Sequence, residues 1–189
     1  MNPHPLASFR FCPRCGASGF ADHDPRSRRC PACGFVYYHN ASASTVAVIF
    51  NRHGELLVAR RALEPARGTL DLPGGFVDPG ESLEEGLLRE VREETGAEAE
   101  IEGYLFSLPN TYTYSGFEVH TSDAFFRCRL KAGGQPRAAD DAAELFWLPA
   151  DGIRPEDFGL ASIREGMRRI LRSFPHSGNI PQKNGFTKK

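Results

Sequence analysis

Four of the five cysteines fall in two pairs, Cys12-Pro-Arg-Cys15 and Cys30-Pro-Ala-Cys33, separated by fourteen residues. A CxxC turn lets two thiolates reach one ion, and two such turns complete a tetrahedral site of four sulfurs. A disulfide framework fits poorly, because the start MNPHPLASFRF contains no apolar stretch of a secretory leader. A redox CxxC has no need of a duplicate at this spacing. The expectation is a structural Zn2+ held by Cys12, Cys15, Cys30 and Cys33 in a ribbon spanning residues 1–40. Such a ribbon can hardly fold without its metal and offers no open coordination position for chemistry. Cys128 lies in the apolar run DAFFRCRL and reads as a packed strand thiol.

The rest of the 189-residue chain suffices for one further domain, and a hydrophobic fraction of 40% with 14 Phe provides a core. The formal charge of -1 argues against a protein held on nucleic acid or an anionic membrane by bulk charge alone. That total is a cancellation. Residues 1–40 carry five Arg against two Asp, residues 81–102 nine Glu against two Arg, and residues 160–189 seven basic groups against one acidic. The longest uncharged apolar stretch, near residues 45–50, falls far short of the roughly 18 residues of a membrane helix. No membrane partner is expected, and the expected location is cytoplasmic.

Hydrophobic periodicity predicts strands over 41–50 and 55–60, joined by the turn NRHG, and a loop over 60–72. A helix follows over 82–95. Short strands are expected over 98–105 and 119–130, with NTYTYSGF as a loop between them. KAGGQPRAADD reads as a flexible connection, AELFWLPA as a last short strand, and 163–171 as a helix. A fraying tail is expected over 173–189.

The helix over 82–95 carries the most chemistry. Ser82 and Glu85 form a capping box, and Gly96 stands where a left-handed C-terminal cap is wanted. At 100° per residue from Glu90, Glu94 falls at about 40° and Glu93 at about 300°, with Leu87, Leu88 and Val91 between roughly 60° and 160°. One face packs and the adjacent face carries three carboxylates. Glu-rich faces are usually just solvated, but this one follows a Gly-Gly turn whose carbonyls can share a cation, and only Arg89 is well placed to offset it. Oxygen ligands of this kind suit a hard divalent ion.

Gly75, Glu81 and the run Arg89-Glu90-Val91-Arg92-Glu93-Glu94-Thr95-Gly96-Ala97 stand in the spacing GX5EX7REUXEEXGU. This string resembles the Nudix box, with Ala97 the one departure, at a packing position; Leu70 stands where the usual approach to the box carries a Trp. The resemblance covers residues 41–171. It implies an α/β (α+β) fold, a mixed β-sheet sandwiched by helices over 41–172, behind the four-cysteine zinc ribbon. It further implies hydrolysis of the diphosphate linkage of a nucleoside diphosphate joined to another group. By the same resemblance Glu90, Glu93 and Glu94 hold Mg2+ or Mn2+ with help from the Gly75 carbonyl, and Arg89 orients a carboxylate. Glu144, three before Trp147, matches the extra metal or base ligand that a later loop supplies in several members; an ordinary exposed Glu fits the position equally.

The ribbon ahead of the box resembles the NADH pyrophosphatase group and related ADP-ribose and FAD pyrophosphatases. Where that group carries SQPWPFPxS, this chain has SLPNTYTYSGF from Ser107: Ser107 and Pro109 match, and the Gln and Trp are absent. Phe76 matches the group's adenine-stacking Phe, against simple core packing. Tyr112 and Tyr114 can stack a second ring or bond a ribose or phosphate, and Arg60 and Arg61 can contact phosphate; packing and solvation are the plainer alternatives. A nucleoside triphosphate pyrophosphohydrolase, a nucleotide-sensing or RNA-binding module, and removal of a nucleotide cap from an RNA end remain open beside the leading reading. Relatives with this domain order tend to be homodimers.

Overall fold

The computed structural model describes residues 4–131, 136–137 and 142–173. The connection expected at KAGGQPRAADD falls mostly outside these residues, and the tail expected from Ser173 falls outside them after Ser173 itself.

Strands β1 (Ala21–Asp24), β2 (Ser27–Arg29) and β3 (Val36–Tyr38) form a small antiparallel sheet in that order. The first cysteine pair lies in the turn before it and the second between β2 and β3. Each turn is closed by one backbone bond, Gly16 N–H to Cys12 O and Gly34 N–H to Cys30 O, both 2.9 Å. The core beneath is Cys12, Phe20 and Cys30 with Ala17 and Phe35 against it. Five side chains cannot offset the ordering of some 30 residues. The metal expected from the cysteine spacing is what makes such a module fold.

The larger unit runs β4 (Ser42–Ile49), β5 (Leu56–Arg61), β6 (Leu70–Asp71), α1 (Leu83–Thr95), β7 (Ala99–Tyr114), β8 (Phe117–Leu130), β9 (Ala142–Leu148) and α2 (Ala161–Ser173). One sheet has the order β4-β8-β7, parallel between β4 and β8 and antiparallel between β8 and β7; the other is β6-β5-β9, antiparallel throughout. Strand alternation then divides the core. Val46, Val48, Leu56, Val58 and Phe125 face α2 through Ile163, Met167 and Ile170. Their neighbours Ala47, Ile49, Leu57, Phe126 and Cys128 face α1 through Leu87 and Val91. Strands buried on both faces need a near-continuous apolar run, and TVAVIF and LLVA supply it. Burial pushes the Cys128 thiol up to about 12, so it stays protonated. Leu88, expected with the packing face of α1, lies at its edge and is exposed.

The main departure from expectation is NTYTYSGF. It is not a loop: β7 and β8 form one long hairpin paired from Ala99↔Leu130 to Tyr114↔Phe117. The turn is Ser115-Gly116, both at positive φ (50° and 74°), as a two-residue hairpin turn requires. The Thr-Tyr alternation is that of a strand with little core beneath its outer end. The ribbon leans on this tip, where the Phe9 and His39 rings each meet Phe117 edge-on at 5.6 Å.

Candidate active site

Helix α1 starts where its sequence caps it. Ser82 Oγ accepts the Glu85 N–H, and the Glu85 carboxylate accepts the Ser82 N–H at 2.8 Å. It ends at Gly96 in the left-handed conformation, φ 65°. With Leu87 and Val91 fixed under the sheet, Glu90 and Glu94 turn toward the segment 73–77, which runs antiparallel along β4. Three backbone bonds hold that segment: Ala47 N–H to Pro73 O (2.8 Å), Thr45 N–H to Gly75 O (2.9 Å) and Val77 N–H to Ala43 O (3.1 Å). The Gly74 N–H donates to Glu94 Oε2 at 2.9 Å. Gly75 packs so tightly on Glu90 that a methyl group there would stand 2.6–2.8 Å from the carboxyl atoms. The Gly75 carbonyl keeps one lone pair beyond its bond to Thr45.

Arg89 ties this corner together. Its Nε and Nη2 form a two-bond fork to Glu81 (2.8 and 3.0 Å), its Nη1 reaches Glu90 (2.7 Å) and Glu93 (3.0 Å), and Nη2 also donates to the Phe76 carbonyl at 2.9 Å. These bonds hold the guanidinium firmly protonated, that to Glu81 first, and they hold the Glu81 carboxyl below its ordinary range. Burial raises the Glu90 carboxyl, with Arg89 opposing.

A cleft of about 630 Å³ opens beside this corner. Glu90, Glu94, Gly75 and Phe76 line one part of it, and Arg60, Arg61, Tyr112 and Tyr114 line others. Phe76 and Tyr114 are exposed and Tyr112 is half-buried. Both tyrosines stand on β7. Glu93 is not among the lining residues, and neither is Glu144. Glu144 sits exposed on β9 opposite Arg60 and accepts its Nε at 2.9 Å, while Arg60 also donates to the Gly68 carbonyl. Arg61 is held by Asp71 (2.5 Å) and the Pro65 carbonyl (2.7 Å). Sequence reasoning passed over Asp71, Thr121 and Asp123, which also line the cleft. The available signal was an acid inside an otherwise apolar strand, LDL and SDAFF. Burial raises the Asp71 carboxyl despite Arg61 beside it.

Two donor sets fit two kinds of metal. Among the described residues, Cys12, Cys15, Cys30 and Cys33 form a group whose ligating atoms all lie within 4.8 Å of one another. The Sγ–Sγ separations of 3.8 Å (Cys12–Cys33) and 3.7 Å (Cys15–Cys30) match the roughly 3.8 Å edge of a tetrahedron built on Zn–S bonds of about 2.3 Å. The cysteines therefore fit a structural zinc. The carboxylates of α1 are hard oxygen donors of the kind that suits Mg2+ or Mn2+, and the Glu90 carboxyl, pressed on the Gly75 backbone and raised by burial, gains from a cation beside it.

The NADH pyrophosphatase zinc ribbon domain matches residues 7–38, and the NUDIX domain matches residues 41–174. The NAD-capped RNA hydrolase NudC of Stutzerimonas stutzeri is 39% identical over 155 residues, covering 78% of this chain and 51% of its own length. That of Pseudomonas aeruginosa PAO1 is 32% identical over 148 residues, 77% of this chain and 50% of its own. The chain thus spans about half the length of the curated relatives it matches. Among solved structures, a NUDIX hydrolase from Nitrosomonas europaea superposes with a TM-score of 0.70 at 24% identity, covering 87% of this chain and 91% of that one. A MutT protein from Methanosarcina mazei Go1 gives 0.53 at 29% identity over 70% and 94%. With residues 41–174 carrying the box, the two sheets packed between helices and the capped helix that presents its glutamates, the chain belongs to the NUDIX domain family.

Proposed function

We propose that this protein hydrolyses the diphosphate linkage of a nucleoside diphosphate joined to a second group, of the ADP-ribose, FAD or NADH type. The observation that carries the reading is the convergence of Glu90 and Glu94 on the Gly74-Gly75 turn at the edge of the cleft. Bound there, Mg2+ or Mn2+ neutralises phosphate oxygens and makes water a usable nucleophile near neutral pH. Arg89 orients Glu90 and Glu93, and Glu93 or Glu94 takes the proton of the attacking water. Phe76 and Tyr114, exposed at the cleft, supply faces for a base, and Tyr112 a further polar contact. Arg60 and Arg61 are the cations offered to phosphate; each is ion-paired, Arg60 with Glu144 and Arg61 with Asp71, and reaches phosphate only by loosening that pair, which in the case of Arg60 frees Glu144 to join the site. The Gln and Trp that the NADH group carries after Ser107 are replaced here by Leu108 and Asn110, and the substrate panel below distinguishes the second group.

A second reading, an NAD-capped RNA end as substrate, is favoured by the ribbon. Its Phe11, Tyr37 and Tyr38 are exposed, as are Arg10, Arg14 and Arg29 of the same module, and aromatic rings with basic side chains suit single-stranded nucleic acid. A homodimer and a cytoplasmic location belong to the same proposal. The test is a panel of ADP-ribose, FAD, NADH, NAD-capped RNA and nucleoside triphosphates with Mg2+ or Mn2+ and product identification. Two monophosphate products are expected, and Glu93→Gln or Glu94→Gln should lower turnover by about 10²–10⁴-fold with the fold retained. Pyrophosphate from triphosphates alone would replace the reading with triphosphate hydrolysis. No cleavage of any diphosphate would make the protein a nucleotide sensor.

A further inference from the structure

The α2-facing side of the β4-β8-β7 sheet ends, under the cleft, in polar residues. On β8, Thr121 and Asp123 are two apart and so share a face with Phe125. Register places Ser44 of β4 and Leu108 of β7 beside Asp123, and Asn110 of β7 beside Thr121. Asp123 is 3% exposed and Thr121 4%. The Ser162 hydroxyl of α2 donates to Asp123 Oδ2 at 2.5 Å and fixes the carboxylate. Oδ1 of the same group, and Thr121 Oγ1, are buried without a hydrogen-bond partner among the described residues. Both residues line the cleft. Leaving such groups unpaired is costly, the more so when charged. Arg61, which also lines the cleft, is already engaged by Asp71.

We infer that Asp123 Oδ1 and Thr121 Oγ1 form the floor of a nucleoside subsite that accepts hydrogen bonds from a neutral donor group of the ligand. An anionic group is excluded by chemistry, because a fixed carboxylate would repel it and Asp71 stands close by. Two donor groups of a nucleotide fit, a ribose hydroxyl pair and an exocyclic amine or amide. The diphosphate then lies toward the Gly74-Gly75 turn and the nucleoside over β8. This inference rests on the reading of the cleft as a nucleotide site, and it makes the sheet, rather than the helix, the source of selectivity.

The test is calorimetric binding of AMP and NMN, in Mg2+, to the full chain and to the Asp123→Asn and Thr121→Val variants. The analogues 2′,3′-dideoxy-AMP and inosine monophosphate separate the two sources of donor. Asp123→Asn should weaken the better-bound nucleotide by about ten- to a hundredfold, and Thr121→Val by a smaller factor, while inorganic pyrophosphate binds all three proteins equally. The analogue lacking the recognised donor should bind wild type and Asp123→Asn alike. If Asp123→Asn does not fold, Thr121→Val and the analogue series on wild type carry the same comparison. The inference is overturned if neither nucleotide binds wild type, if affinities are unchanged in the variants, or if Asp123→Asn lowers only the melting temperature, which would assign the floor to structural water. An inactive protein that binds AMP through Asp123 would refute hydrolysis and keep this subsite; an active one indifferent to Asp123 would do the reverse.

Discussion

Two adjacent glycines should fail in opposite ways when each is given one methyl group. At Gly74 a Cβ would stand 2.1 Å from the Thr45 carbonyl oxygen and 2.9 Å from its carbon, and φ is 144°. The obstacle is backbone of a strand buried on both faces, so it cannot give way. Overpacking of this kind costs about 1–3 kcal/mol and a side chain forced into that backbone region a further 1–3 kcal/mol or so. Gly74→Ala should therefore lose about 3 kcal/mol, which for a chain of this size lowers Tm by roughly 6–12 °C. At Gly75 the obstacle is the Glu90 carboxyl, the end of a side chain that can rotate. Gly75→Ala should keep Tm within about 3 °C yet push Glu90 off the turn, weakening Mn2+ binding and turnover together by about tenfold or more. Thermal unfolding by circular dichroism reads the first effect, and Mn2+ titration with initial rates reads the second. A Gly74→Ala protein melting within 2 °C or so of wild type, or a Gly75→Ala protein with unaltered Mn2+ affinity, would refute the assigned roles.

Further substitutions probe the frame. A Cβ on Gly166 would meet the fully buried Phe125 ring at 2.5–2.6 Å, so Gly166→Ala should cost about 1–3 kcal/mol in denaturant unfolding without changing substrate preference. Ser82→Ala should cost about 1 kcal/mol by removing the α1 cap. Its partner Glu85 is held below its ordinary pKa, first by the Ser82 backbone bond. The carboxylate's contribution is therefore present above the unfolded value of 4.5 and lost as pH falls through the lower folded value. The stability gap between wild type and Glu85→Gln should accordingly close on acidification, and a gap that widens would reverse the sign argument. Metal analysis should find one Zn2+ per chain, and a strong chelator should open residues 7–38 to protease while the melting transition of the larger domain persists.

What the sequence revealed and what it hid divide along the range of the interactions. The start and stop of α1 were legible because Ser82, Glu85 and Gly96 act within one turn. The cysteine turns were legible for the same reason. The β7-β8 hairpin is not legible locally, because Asn, Thr, Ser and Gly mark turns and also populate a strand with one solvated face; only Ser115-Gly116 turns. The neutralisation of α1 was half visible: Glu93 lies four residues from Arg89, but the Glu81 fork and the Phe76 carbonyl arrive by folding. Arg60 with Glu144 spans 84 residues and Ser162 with Asp123 spans 39. No local pattern announces such pairs, and they decide which charges face the cleft.

The Arg89 hub sets an order of events for the whole chain. Because one guanidinium already satisfies Glu81, Glu90 and Glu93, the acidic helix can fold without a cation from solution, and a divalent ion held by Glu90 or Glu93 would have to exchange with hydrogen bonds already made. The ribbon has no such internal stand-in for its four thiolates. The ribbon and the larger domain would therefore stand in opposite relation to their metals: one assembled by its ion, the other folded first and loaded afterwards.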